Sequence, residues 1–133
     1  MATVSATISL SSAAGDLTTS ALTLSDSNAI TAGETTGLAR MKITATSKGS
    51  AGEVTVYTAD DFAAICYIYI KNTDATATDY IYVYDDTTSG DPVILKLAGG
   101  DWAFLPTIAD KTLKAYATTS GTIIESMVFG TDQ

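Results

Sequence analysis

The sequence predicts an all-β protein: an antiparallel β-sandwich, for which the jelly roll is one fitting arrangement, with a strand-like N-terminal arm. Segments that alternate apolar and polar residues recur about every ten residues, and Gly, Asp, Asn and Ser separate them. Thr, Val, Ile and Tyr favour strands and are frequent, whereas helical periodicity is nearly absent. An immunoglobulin-like sandwich is the alternative, but the single cysteine cannot supply the cysteine pair around a tryptophan that marks that fold.

The length of 133 residues predicts one domain across residues 1–133, because a single core commonly occupies a chain of this size. Hydrophobic residues make up 46% and charged residues 17%, a composition that argues against disorder. Residues 1–27 are rich in Ser, Thr and Ala, so a strand there buries little by itself. Two interpretations stand for this segment: edge strands of the sandwich, or an arm that orders only against a neighbour.

The formal net charge of −8 bears on the classes of partner. Nucleic-acid binding needs clustered Lys and Arg, and Arg40 is the one arginine, so neither nucleic acid nor an anionic membrane is predicted as a partner. Residues 1–12 lack the basic and apolar regions of a signal peptide, and no apolar run is long enough for a membrane span. We therefore expect a protein made in a cytoplasm, without a signal peptide or transmembrane segment.

The alternation places each strand in chain order. Residues 3–11 put Val4, Ile8 and Leu10 on one side, with Ser and Thr on the other. Residues 38–46 put Met41 and Ile43 on the side opposite Arg40 and Lys42. In chain order the predicted strands are residues 3–11, 17–25, 38–46, 53–58, two strands within 66–84, and then 92–97, 102–105, 112–118 and 122–129.

Residues 66–84, CYIYIKNTDATATDYIYVY, contain two strands that alternate tyrosine with aliphatic residues around a polar loop. Paired as a hairpin, they would set Tyr69 opposite Tyr82 and Tyr67 opposite Tyr84. One side of the hairpin would then be aliphatic and the other a ladder of tyrosines. Cys66 falls on the aliphatic side, where a small buried residue is expected rather than a reactive thiol.

Three interpretations of the tyrosine ladder stay open. The rings can cover a sheet with their hydroxyls in water, they can form a subunit interface, where tyrosine is enriched, or they can form a platform that stacks sugars.

Residues 95–106, LKLAGGDWAFLP, predict a strand that ends at a Gly-Gly turn and a second apolar strand after it. Trp102 and Phe104 share one side of that second strand. Trp102 is either a core anchor or an interface anchor. Pro106 is expected to end the pairing, since proline has no N–H to donate.

No constellation for catalysis is found in the sequence. The chain has no histidine, which excludes imidazole-based triads, and it has no glycine-rich phosphate loop. The neighbouring carboxylates Asp60–Asp61 and Asp85–Asp86 point to opposite sides of an extended chain, so neither pair is a ready acid–base dyad. We therefore predict no catalytic, cofactor-binding or metal-binding residue and no enzyme activity.

Four segments carry a resemblance to a known class of protein. They are ATISLSS, GLARMKITATS, YIYIKNT and LAGGDWAFLPTIADKTLKAYATTSGTIIESMVFG. Together they resemble small β-rich virion structural proteins of tailed bacteriophages, above all of phages that infect aquatic bacteria. The resemblance implies a non-enzymatic part of the virion, assembled in the host cytoplasm, first of all a capsid decoration (cement) protein that binds the major capsid protein and stabilises the shell. A tail, neck or fibre-associated subunit is the alternative.

A homo-oligomer, with a trimer favoured, is the expected state of such a subunit. A carbohydrate-binding module for host attachment is a further alternative, motivated by the tyrosines. The residues expected at subunit contacts are Tyr67, Tyr69, Tyr82, Tyr84, Trp102 and Phe104, and those expected in an arm against the shell are Val4, Ile8 and Leu10.

Overall fold

The computed structural model describes residues 2–15, 19–87 and 90–131. The chain divides into two compact units, Met1–Ala32 and Gly33–Gln133. In the described residues every regular element is a strand. The strands are β1 Ala2–Ser12, β2 Leu22–Ala32, β3 Glu34–Thr35, β4 Ala39–Lys42, β5 Val54–Tyr57, β6 Ile65–Asn72, β7 Ile81–Asp85, β8 Val93–Leu97, β9 Trp102–Ile108, β10 Leu113–Ala117 and β11 Ile123–Gly130.

The first unit is a two-stranded antiparallel ribbon of β1 and β2, referred to below as the ribbon. Its register runs without a bulge from Ala2 opposite Ala32 to Ser12 opposite Leu22. Within the described residues these two strands pair only with each other. The expected strand at residues 3–11 is confirmed, but the second strand begins at Leu22 and runs on past Ser25, the predicted end.

The second unit is an antiparallel β-sandwich, as the sequence predicts. A smaller sheet has the order β5-β10-β7-β8, and a larger sheet has the order β3-β11-β6-β9, with β4 also paired to β11. Strands β4 to β11 therefore form two four-stranded layers in the orders β4-β11-β6-β9 and β5-β10-β7-β8, which is the strand order of a jelly roll.

The core of the sandwich comes from the aliphatic side of both sheets. Ile68 and Ile70 of the larger sheet and Ile81 and Val83 of the smaller sheet are fully buried in one cluster. Their burial explains the alternation in the sequence, because each strand turns its aliphatic residues toward the opposite layer. Cys66 is a buried free thiol in the same cluster, in agreement with the expectation of a small core residue.

The predicted tyrosine hairpin is wrong. Strand β6 pairs with β11 and β9, whereas β7 pairs with β10 and β8 in the other sheet. Tyr69 therefore does not face Tyr82, and Tyr67 does not face Tyr84. The two strands meet through their aliphatic sides, across the core, and their tyrosines point away from each other on opposite surfaces of the sandwich.

Asn72 fixes the chain where it leaves β6 for the other sheet. Its side chain is fully buried, and its Nδ2 donates to the carbonyl oxygens of Asp79 at 2.7 Å and Leu97 at 3.1 Å. Its Oδ1 accepts the N–H of Asp74 at 3.1 Å. Because three backbone groups depend on this one amide, the connection is a built crossing between layers rather than a hairpin turn.

Two details of the 95–106 region follow from position in the sheet. The Gly-Gly turn forms as expected, and a Cβ on Gly99 would lie 2.2 Å from the carbonyl oxygen of Thr76, so only glycine fits there. The expected stop at Pro106 is wrong: β9 continues to Ile108, and Pro106 lies opposite Tyr67. Strand β9 is the edge of its sheet, where a missing N–H leaves no neighbour unpaired.

Candidate interaction surfaces

The ribbon has two chemically different sides, because paired residues of antiparallel strands share a side. One side is apolar over most of its length, with pairs such as Val4–Ile30 and Leu10–Leu24. The other side carries small residues, nearly all Ser or Thr: Thr3, Ser5, Thr7, Ser9, Ser11, Thr23, Ser25, Ser27, Ala29 and Thr31. The alternation that the sequence predicts for this segment is thus present as a continuous amphipathic surface.

Three large apolar side chains of the ribbon are left in contact with solvent, whereas Ile30 and Ala32 are buried. Ile8, Leu10 and Leu24 are 45%, 54% and 45% exposed. Val4 is partly buried. A two-stranded ribbon is marginally stable by itself, and three or more strands or a packed layer are usually needed. This surface therefore has the character of one that a partner covers.

The outward side of the larger sheet forms a second surface, the aromatic face. Register places Trp102 beside Lys71, Phe104 beside Tyr69, and Pro106 beside Tyr67. Strand β11 adds further apolar residues in the same rows. The aromatic face comprises Tyr67, Tyr69, Trp102, Phe104, Met127 and Phe129.

Four of the residues expected at subunit contacts, Tyr67, Tyr69, Trp102 and Phe104, are thus brought together on the aromatic face. The interpretation of Trp102 as a core anchor is wrong, since its side chain is on the outward side and 55% exposed. The ring of Tyr67 stacks on that of Phe104, with centroids 6.0 Å apart. With the contact between Phe104 and Phe129, whose centroids are 6.5 Å apart, three of the rings form one connected group.

One ion pair lies at the margin of the aromatic face. The Nε of Arg40 donates to Glu125 Oε2 at 2.8 Å, and the Tyr69 hydroxyl donates to Glu125 Oε1 at 3.3 Å. Hydrogen bonding from the Arg40 guanidinium holds the pKa of the Glu125 carboxyl below its usual range. Burial, with the neighbouring Glu125 carboxylate, raises the pKa of the Tyr69 phenol. Glu125 is therefore an ionised, bonded carboxylate that orients Tyr69.

The other two tyrosines of the expected interface lie on the outward side of the smaller sheet. Tyr82 stacks on Tyr116 with centroids 5.0 Å apart and an interplanar angle of 13°. The ammonium of Lys96 lies 3.9 Å from the ring centroid of Tyr80. Ring faces here are directed at each other and at a lysine, whereas a sugar platform needs a free ring face. No geometric feature of this cluster favours the carbohydrate-binding alternative.

Tyr84 belongs to the same outward side but is buried. Its hydroxyl donates to Glu53 Oε2 at 3.0 Å, and Glu53 Oε1 accepts the N–H of Gly49 at 2.7 Å. Burial and then the hydrogen bond to Glu53 raise the pKa of the Tyr84 phenol. Tyr84 is therefore a structural tyrosine that ties β7 to the loop before β5, and it offers no ring for contact with a partner.

The carboxylate pair Asp85–Asp86 and the cysteine are used structurally. Asp86 binds the Lys114 ammonium at 2.5 Å, and Asp85 accepts the N–H of Thr87 at 2.8 Å. Burial raises the pKa of the Cys66 thiol. Each group is bonded or buried in a way that stabilises a turn or the core. In the described residues no group of three or more Cys, Asp or Glu side chains is placed to hold a metal ion.

A cavity of about 260 Å³ opens between the two sheets at β4 and β5. Its polar lining consists of hydroxyls and one carboxylate, and the Tyr57 hydroxyl at its wall already donates to the carbonyl oxygen of Ala109 at 2.9 Å. The complete lining is Thr36, Ala39, Met41, Thr55, Val56, Tyr57, Thr58, Asp61 and Ser126. This lining contains no cation, so it offers no charge partner to an anionic ligand.

Sequence reasoning missed several members of these surfaces. Met127 and Phe129 complete the aromatic face, and Tyr116 completes the tyrosine cluster of the smaller sheet. Part of the signal was present, since Met127 and Phe129 share one side of the predicted strand at residues 122–129. What was absent from the sequence was the pairing of β11 with β6, which brings residues about 60 positions apart into one row.

The described part of the chain has no helix with the length and apolar character of a membrane span. Neither a scan against protein-family models nor a search of curated proteins finds a match for this chain.

Proposed function

We propose that this chain is a bacteriophage capsid decoration protein, a non-enzymatic virion subunit that binds the major capsid protein and stabilises the shell. The observation that carries the proposal is the ribbon, whose apolar residues Ile8, Leu10 and Leu24 are exposed. A ribbon of this kind gains its stability by being covered, which suits a subunit that completes its packing only on assembly. The resemblance of four segments to phage virion proteins supplies the kind of assembly.

The aromatic face supports the same proposal. An exposed Trp102 grouped with half-buried aromatic residues on one sheet is typical of protein interfaces, where Trp and Tyr supply much of the binding energy. The ribbon and the aromatic face together give one small chain two surfaces for protein partners. Many copies on a shell would strengthen modest contacts through avidity. The jelly roll fits this role but does not decide it, since unrelated functions share the fold.

The test is binding of the purified protein to expanded capsid shells that lack it, measured by co-sedimentation. We expect saturable binding at a fixed ratio to capsid subunits and a higher dissociation temperature of the shells. Leu10→Asp should weaken binding roughly tenfold or more, because it places a charge on the apolar side of the ribbon. Ser9→Asp introduces the same charge one residue away, on the Ser/Thr side, and is the matched control.

Two outcomes would contradict the proposal. If binding does not saturate, or if Leu10→Asp and Ser9→Asp weaken it equally, the apolar side of the ribbon is not the surface that binds the shell. Saturable binding to isolated tails but not to shells would select the tail-associated alternative.

A further inference from the structure

If the chain is an assembly subunit, as proposed above, some surface covers the exposed apolar residues of its ribbon. Residue rows along the apolar side follow a fixed spacing of two residues, about 6.8 Å. The row of Leu10 and Leu24 is followed by the row of Ile8 and Asp26. Among described ribbon residues Asp26 is the one charged side chain, and it lies on the apolar side rather than on the Ser/Thr side.

The aromatic face has the same row spacing and the opposite charge. The row of Phe104, Tyr69 and Met127 is followed by the row of Trp102, Lys71, Glu125 and Arg40, which has two cations and one carboxylate. A partner with a carboxylate one row from a pair of leucines would therefore fit a face with an ammonium one row from a pair of aromatic rings.

The charge balance along the aromatic face reinforces this match. The outward charged residues on its strands are Arg40, Lys42 and Lys71 against Glu125, so three cations face one carboxylate. Glu125 is already bonded by Arg40. A surplus of positive charge on this surface is notable in a chain with a net charge of −8, and it favours an acidic partner.

We propose that the ribbon of one copy lies on the aromatic face of a second copy, with Asp26 of the first near Lys71 of the second. Because the two surfaces are different parts of the same chain, this contact runs head to tail. Repeated around a rotation axis it closes into a ring in which every ribbon and every aromatic face is covered, and a trimer is the smallest ring after the dimer.

The size of the contact sets its strength. A ribbon of 11 residue pairs is roughly 37 Å long and about 10 Å wide, so one side cannot bury much more than about 400 Å². Stable interfaces bury about 800 Å² on each partner. A single contact is therefore weak, and the ring forms because closure makes the last contact intramolecular. Assembly should consequently depend on protein concentration.

The first experiment is dilution of the purified full chain, followed by light scattering and by tryptophan fluorescence. Trp102 is the only tryptophan and lies on the aromatic face, so its emission reports whether that face is covered. We expect a ring at high concentration, monomers on dilution, and a red shift of the emission that follows dissociation. A monomer at every concentration, or dissociation without any change in Trp102 emission, would overturn the inference.

The second experiment is a charge swap. Asp26→Lys and Lys71→Asp should each weaken assembly about tenfold or more by placing like charges opposite each other, and the double variant should recover most of the loss. Ser27→Lys, on the Ser/Thr side, and Lys96→Asp, on the smaller sheet, are controls that should leave assembly unchanged. Thermal unfolding of each variant identifies any that fail to fold. Two folded single variants with no rescue in the double variant would contradict the pairing.

Failure of this inference can be told apart from failure of the proposed function. If the chain stays monomeric, binds shells, and loses that binding in the Leu10→Asp variant, the capsid protein rather than a second copy covers the ribbon. If rings form and the charge swap behaves as expected but shells are not bound, the arrangement of copies stands and the capsid role does not.

Discussion

In the sandwich, the apolar side of each strand meets a second layer of the same unit, and Ile68 and Ile81 are fully buried there. In the ribbon, strands with the same alternation leave Ile8 and Leu10 about half exposed. The difference is one of partners rather than of sequence pattern. Alternation shows which side of a strand is apolar, but that side is buried only when another layer or a partner packs against it. For the ribbon we expect this to happen in the assembly.

The largest expected effect compares one substitution in both regions. Ile68→Ala removes a fully buried side chain from the sandwich core and should lower the free energy of unfolding by about 3–4 kcal/mol, since a cavity remains. Ile8→Ala in the ribbon should cost less than about 1 kcal/mol at concentrations where the protein is monomeric. Urea unfolding followed by circular dichroism measures both. Equal losses would mean that Ile8 is already packed in the monomer.

The same comparison explains how far the sequence could predict the structure. Which residues share a side of a strand was predicted correctly for Met41 and Ile43 and for Trp102 and Phe104, because side-chain direction alternates locally. Strand pairing is not local. β6 and β7 have the same tyrosine–aliphatic pattern, which fits a hairpin and a sandwich equally well. Only the layer order, fixed by contacts distant in sequence, separates the two arrangements.

The candidate surfaces were predicted to a similar extent. The side shared by Trp102 and Phe104 was visible in the sequence, but their neighbours Met127 and Phe129 come from a strand about 25 residues away. The second strand of the ribbon was predicted to end at Ser25, because Asp and Asn are frequent in turns. Asp26 and Asn28 nevertheless lie within β2, where both are exposed and their polar side chains are tolerated. Alternation in the sequence thus shows which residues share a side of a strand, whereas tertiary pairing decides which strands contribute to one surface.

An intermediate effect is expected when the same isosteric change, Asn to Asp, is made at a buried position of the sandwich and at an exposed position of the ribbon. Asn72→Asp keeps the shape but replaces an N–H donor with an oxygen beside two carbonyl oxygens, and it should lower the free energy of unfolding by about 2–3 kcal/mol. Asn28→Asp makes the same change at an exposed position of the ribbon and should shift stability by less than about 0.5 kcal/mol. Urea midpoints at neutral pH give both values. If Asn72→Asp left the urea midpoint unchanged, the hydrogen bonds of Asn72 would not be what holds the crossing between the layers.

The smallest expected effect concerns the dependence of stability on alkaline pH. Residues 1–32 contain no tyrosine, so the titration of a tyrosine reports on the sandwich alone. Tyr84→Phe removes the hydrogen bond to Glu53 and should cost about 1 kcal/mol at neutral pH. Burial and this bond raise the pKa of Tyr84 in the folded state, so the unfolded chain releases the proton first, near the ordinary pKa of about 10. The stability supplied by the neutral phenol is therefore present below pH ~10 and is lost as the pH rises toward the folded pKa.

Phenylalanine has no proton to release, so the stability difference between the native chain and Tyr84→Phe should shrink above pH ~10. Urea unfolding at a series of alkaline pH values measures that difference. Glu53→Ala is the reference background, because it removes the acceptor of the Tyr84 hydroxyl, so that Tyr84→Phe should cost less there at neutral pH than in the native chain. A difference that stays constant into the alkaline range would show that Tyr84 does not hold its proton more tightly in the sandwich than in the unfolded chain, and that the Glu53 contact is not what ties β7 to its loop.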